Sequence, residues 1–253
     1  MGDKFGVKEV MNVTFYDLVS WQPSLYIDTL KLSNLENTAE QSMARGGVGN
    51  PILLTWDYNR EANFEVQDAL MTMKSLSMLA GTQLKTDEDT ILHMREILEV
   101  SATDDITLSQ TPLDGDETDK LFIYKDDDDS GTPLVINDIT GKVVSLDYGE
   151  QVEEGDKVVV YYPYETDALT ERPQIVTITS EDFPGYYRVV GDTVVRNART
   201  GLDEKFQLIV ERAKIMPGFT VSMQAEGDPA VFDMNLMVFK PVDKTEMIKM
   251  VKY

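Results

Sequence analysis

The amino-acid sequence predicts a mainly β chain: an antiparallel sandwich or barrel, one flanking helix, and an inserted small β-module. Three observations carry that prediction. Apolar and polar residues alternate in short runs separated by Gly, Asn and Asp turn signals. One stretch, residues 68–81, has apolar residues at helical spacing. Acidic charge is concentrated in residues 86–170, which hold 23 Asp/Glu against 5 Lys/Arg, while the rest holds 22 against 18. That composition shift marks a module and divides the chain into 1–85, 86–170 and 171–253.

The elements follow in order. Residues 25–32 (LYIDTLKL) predict a strand. Residues 33–50 (SNLENTAEQSMARGGVGN) are polar, long and without regular period, and predict an irregular arm. Ile52–Tyr58 predicts a strand, Asn59-Arg60 a turn, and Ala62–Gln67 a half-buried strand. Asp68 suits a helix N-cap and Gly81 the position after its C-terminus, which predicts a helix over 68–80. Its methionines predict ordinary core packing.

In the acidic module, Thr86 and Asp89 form a potential capping box for a helix over 88–98, while Ile97–Val100 reads equally as a strand. Strands are expected at Ile106–Leu108, Leu121–Tyr124, Leu134–Ile136, Val143–Leu146 and Val158–Tyr162. Turn signals separate them at 113–116, Ser130-Gly131, Thr140-Gly141 and 154–156. This spacing predicts a small sandwich. Beyond it, strands are expected at Ile175–Thr179, Tyr186–Val190, Thr193–Arg196, Phe206–Arg212, Thr220–Gln224 and Val231–Phe239. Gly191-Asp192 reads as a hairpin turn joining two of them.

Composition excludes several classes. A net charge of −22 argues against a nucleic-acid-binding surface. No cysteine means no disulfide and no thiolate chemistry. The N-terminal MGDKFGVKEVMNV has no apolar core of a signal peptide. No apolar run is long enough for a membrane-spanning helix, so no membrane partner is expected.

Few residues suggest chemistry. Gly46-Gly47-Val48-Gly49-Asn50-Pro51 resembles a phosphate loop only superficially. A Walker loop needs Gly-Lys-Ser/Thr, and a dinucleotide loop needs a helix after its glycines. Here Asn50, Pro51 and a strand-like run follow. His93 is the single histidine, so a catalytic triad or His-based metal site has no partners, and a surface or packing role is expected. Asp126–Asp129 could offer oxygen ligands to calcium, but it lacks alternating ligands and a distal Glu; a solvated acidic turn fits better. Tyr161, Tyr162 and Tyr164 suit cross-strand packing better than a carbohydrate platform. No nucleophile or acid–base constellation emerges, so neither enzymatic activity nor a cofactor is expected.

Two segments resemble a known family. Residues 44–81 (ARGGVGNPILLTWDYNREANFEVQDALMTMKSLSMLAG) are similar to tail tube proteins of long-tailed bacteriophages, where a strand leads through a short amphipathic helix to a glycine, here Leu76 to Gly81. Residues 206–239 resemble that family's closing strands, with Gly227-Asp228-Pro229 before a final alternating strand. The resemblance implies two packed antiparallel sheets with a flanking helix. It also implies six copies per ring and rings stacked into a tube, with DNA passing through the channel without sequence-specific binding.

The implied partners are further copies of the chain and other tail or baseplate proteins. The implied location is the virion tail, after synthesis in the host cytoplasm. The 86–170 module departs from the minimal family pattern and reads as an insertion. On this view 33–50 is an arm that orders on assembly, with Arg45, Gly46, Gly47, Gly49, Asn50 and Pro51 at the subunit interface. The mildly basic tail, 240–253, would seat on a neighbouring subunit or stay solvated. A baseplate, hub or tail-completion protein, or a calcium- or glycan-binding adhesion module, are the rival readings.

Overall fold

The computed structural model describes residues 4–113, 120–125, 131–147, 152–167, 169–223, 225–226 and 231–253. The elements begin with β1 (Phe5–Val7), β2 (Asn12–Asp17), β3 (Pro23–Ile27), β4 (Leu30–Arg45), β5 (Ile52–Asp68) and α1 (Met73–Ala80). Next come β6 (Ile91–Glu99), β7 (Asp105–Thr107), β8 (Phe122–Lys125), β9 (Ile136–Thr140), β10 (Val143–Leu146) and β11 (Lys157–Glu165). The last four are β12 (Tyr186–Asn197), β13 (Asp203–Ile215), β14 (Phe232–Val238) and β15 (Ile248–Lys252). The fold is mainly β, its sheets are antiparallel, and among the described residues no barrel closes. Two compact units divide the chain: residues 1–84 with 176–253, and residues 85–175.

The first unit is built on one sheet in the order β3-β2-β12-β13-β14-β5-β4. Residues alternate between faces along a strand, so a sheet with one covered face shows a period of two. β14 is the clearest case: Phe232, Met234, Leu236 and Val238 are buried, and the residues between them are exposed. The same core takes Val13 and Phe15 from β2, Phe64 and Val66 from β5, Val189 from β12, and Leu208 and Ile215 from β13. Two central strands each carry two neighbours end to end along one edge. β2 and β1 follow each other along β12, while β15 and β14 follow each other along β13.

Helix α1 lies over this core through Met78 and Leu79. Its N-cap is Thr72, not Asp68: the Thr72 hydroxyl accepts the Ser75 N–H, and the Ser75 hydroxyl accepts the Thr72 N–H. Asp68 instead ends β5, buried, where its carboxylate accepts hydrogen bonds from the Thr29 hydroxyl and the Leu70 N–H. Gly81 closes the helix at φ +76°, donating to Met78.

Several other expectations are corrected. Residues 33–50 are not an irregular arm: residues up to Arg45 belong to β4, paired with β5 except at a bulge opposite Ala39. Asn59-Arg60 is no turn; it is a bulge inside β5, where two residues face Ala39 and Asn59 takes φ +48°. Gly191-Asp192 is no hairpin either. Both residues sit mid-strand in β12, paired with β2 on one side and β13 on the other. A Cβ at Gly191 would stand 2.8 Å from the Met11 sulfur, so a larger residue there would have to displace that side chain.

Ile175–Thr179 forms only an isolated bridge, Ile175 with Lys85. Residues 220–223 are not a strand, and Gln224 lies outside the described residues, as does Gly227-Asp228-Pro229. The C-terminal stretch is anchored in its own sheet through its last residues, while 242–246 are exposed. β15 pairs with β13 of its own sheet, and Lys252 and Lys244 pair with Glu204 and Glu211.

The second unit is a small sandwich of two three-stranded sheets, β7-β10-β9 and β6-β11-β8. The open choice at 88–98 resolves as strand β6. Ile106, Val144 and Leu146 from one sheet meet Ile123, Val158, Val160 and Tyr162 from the other. Burial, and then its hydrogen bond to Glu96 at 2.8 Å, push the Tyr162 phenol up to about 12, although the Gln110 N–H donated to its oxygen works the other way.

Two outcomes test this description. A Cβ at Gly81 would stand 2.2 Å from the Phe183 carbonyl carbon, whereas one at Gly201 (φ +69°) would meet nothing. Gly201→Ala should therefore cost only the left-handed strain, about 1–2 kcal/mol, and Gly81→Ala clearly more, in urea unfolding. The raised Tyr162 pKa favours the folded state fully below the ordinary tyrosine value, and that contribution is lost as pH rises through about 12. Thermal scans across that range should show a smaller alkaline loss for Tyr162→Phe than for the parent.

Candidate functional site

The hairpin of β4 and β5 leaves the core partway along its length. Up to Ala62 the inward residues of β5 are buried; from Glu61 to Ile52 every residue is exposed. Beyond the Asn59-Arg60 bulge, Glu40 pairs with Tyr58, Ser42 with Trp56 and Ala44 with Leu54. A run from Glu40 to Arg45 projects about 20 Å at the antiparallel rise. Gln41 donates to Asp57 at 2.9 Å on the other face of this ribbon.

Apolar side chains are unusually open here. Leu54 is 59% exposed, Trp56 54% and Tyr58 46%. These three share one face, by the alternation of the pairing. An isolated two-stranded ribbon has no core and is marginal in water. Clustered exposed apolar residues mark contact surfaces rather than ordinary surface.

The tip holds the residues singled out in the sequence. The Gly46 N–H donates to Pro51 at 3.2 Å, and the Asn50 N–H to Gly47 at 3.1 Å. Gly47 and Gly49 have φ of +85° and +84°, and Asn50 +51°. Three left-handed residues within four positions explain the Gly-x-Gly-Asn pattern, since these are the types that adopt such angles. Val48 projects fully exposed at the apex, and Arg45 ends β4 beside it. The glycines thus shape a reversal, and no helix follows them to hold a phosphate.

A second surface belongs to the leaf β14-β5-β4. Its outward residues include Asp233 and Asn235 on β14, Glu61, Asn63, Glu65 and Gln67 on β5, and Asn34, Glu36 and Thr38 on β4. Register sets Asn235, Glu65 and Asn34 in one row. No Lys or Arg stands among the outward residues of 32–38, 61–67 and 233–237. Sequence reading lists these acids but cannot assign them to one face until the register is known.

The remaining candidates separate. His93 is exposed on β6 opposite Pro163. Tyr162 and Tyr164 turn toward the core of their unit, and Tyr161 turns outward against Tyr124 across the strands, so the three tyrosines form no common platform. Asp126–Asp129 lies outside the described residues. Among the described residues no group of three or more His, Asp or Glu could hold a metal ion, and no helix is long and apolar enough to cross a membrane.

No curated protein matches the chain. A family model does, over residues 5–253, which takes in both units and the ribbon: the chain belongs to the YomU/Tube protein family.

Proposed function

We infer that this chain is the tail tube subunit of a phage particle: six copies form a ring, rings stack into a hollow tube, and DNA passes along its channel. The family membership supports a tube-type structural role. The observation that carries the finer reading is the β4–β5 ribbon. Its exposed Leu54, Trp56 and Tyr58 have no partner in their own unit's core, and a neighbouring copy would cover them. Arg45, Gly46, Gly47, Gly49, Asn50 and Pro51, at its tip, are the residues a neighbour in the same or the next ring would meet first.

The acidic and amide face of β14-β5-β4 is the surface suited to line the channel. A wall without cations offers phosphates nothing to bind, and its carboxylates repel them, so DNA slides. The role is mechanical, and other tail or baseplate proteins would start and end the tube.

Electron microscopy of the purified chain at high concentration tests the reading; hollow tubes or stacked rings are expected. A chain that stays monomeric there, and also when seeded with purified tails, would refute it. In hydrogen exchange, the ribbon amides of 41–45 and 53–57 should exchange faster than those of Val66 and Met234 in the free chain, and become protected in tubes. Gly47→Val with Gly49→Val should leave the fold intact, because nothing lies near either Cβ, yet reduce tube yield by straining the tip. Glu36→Lys with Glu65→Lys should permit assembly but slow DNA release from particles in a dye-release assay.

A further inference from the structure

We propose that the first unit carries a cleft that binds an acidic peptide segment of a protein partner. The cleft, of about 500 Å3, opens at one end of the paired strands β2, β12 and β13. Two irregularities shape it. Between Val210 and Ala213, two residues of β13, Glu211 and Arg212, face the single residue Arg188 of β12. Such a bulge re-aims side chains that regular pairing would send to opposite faces. The second is Trp21, with φ +59°, a left-handed conformation a bulky residue keeps only when its surroundings hold it. Here the Asp17 carboxylate accepts the Val19 and Ser20 N–H groups and the Ser20 hydroxyl, and the Asp17 carbonyl accepts the Trp21 N–H.

Both irregularities serve the same arrangement. The Arg188 guanidinium stands 4.4 Å over the Trp21 ring, and that of Arg212 stands 4.3 Å over Tyr186. A stacked guanidinium keeps its edge free for a planar carboxylate. The charges are unevenly matched. Glu211 serves Arg188 at 3.6 Å and Lys244 at 3.2 Å. Arg212 also lines the cleft and forms no ion pair among the described residues.

The rest of the wall selects the occupant. Val242 is 93% exposed and Trp21 57%, and Pro241 adjoins them. Trp, Tyr and Arg are the types that dominate protein interfaces. A polyanion would meet Asp17, Glu211 and Asp243, whereas a single carboxylate needs only the one unmatched guanidinium. The occupant is therefore a peptide segment with a Glu or Asp beside an apolar residue. Its carboxylate goes to Arg212, and its apolar side chain to Trp21 and Val242. This holds whether or not the chain builds a tube.

Trp21 and Trp56 are the two tryptophans, so in a Trp56→Phe background Trp21 fluorescence reports the cleft alone. The probe is the blocked peptide Gly-Leu-Glu-Leu-Gly, compared with its Gln counterpart. A saturable change is expected, about tenfold weaker for the Gln peptide and weakened by salt. Arg212→Gln should abolish it. Val242→Asp should weaken binding and Val242→Lys tighten it, and neither touches the core. No saturable change, equal affinity for the two peptides, or indifference to the charge at 242 would each overturn the proposal.

Discussion

The hydrogen bonding of β13 is the constraint on which the first unit depends. One edge of this strand is occupied by β12. The other is shared: Phe206–Val210 pair with β15, and Ala213–Ile215 with β14. Because two different strands claim successive stretches of one edge, the sheet parts into two leaves beyond β13, and both supply the same apolar cluster. The bulge at Glu211-Arg212 falls at that parting. It resets the alternation so that Val210 and Ala213 both face inward, and it frees two charged side chains to line the cleft. The leaf β14-β5-β4, the ribbon that prolongs it, and the Arg–Trp cleft all trace to this one strand.

What the sequence reveals is decided by whether a strand has one wet and one dry face. β14 does, and its alternation reads directly from Phe232 to Val238. The distal β4–β5 ribbon is wet on both faces, so it has no period to detect, and residues 33–45 read as irregular although every residue from Asn34 to Thr38 and from Glu40 to Arg45 is paired. Turn chemistry misleads for a related reason. Asn59 and Gly191 are residues of turns, but one serves a bulge and the other makes room for Met11; only the partner strands distinguish these uses. Asp68 has the right side chain for an N-cap, yet Thr29 claims it from across the fold.

The surfaces are less legible than the fold. The tip residues from Gly46 to Pro51 stand out in the sequence by type, but their presentation at the apex of a projecting ribbon depends on the pairing behind them. The cleft leaves no trace at all. Trp21, Arg188 and Arg212 are distant in sequence, and neither a bulge nor a left-handed tryptophan has a sequence pattern. Charge behaves differently again: the excess of acids in 86–170 is plain from composition, while the cation-free outer face of β14-β5-β4 emerges only from register.

The two halves of the first unit flank the second along the chain, and this has a consequence for how the protein is made. Val13 pairs with Gly191, so β2 must wait for the whole of residues 85–175 to be translated before its neighbour exists. At about 5–20 residues per second on the ribosome that is a delay of seconds, far longer than the microseconds in which a hairpin closes. The β4–β5 hairpin and the acidic sandwich, whose contacts are local, can form during the pause. The apolar residues that β2 and β5 give to the core meanwhile lack the partners that β12, β13 and β14 bring.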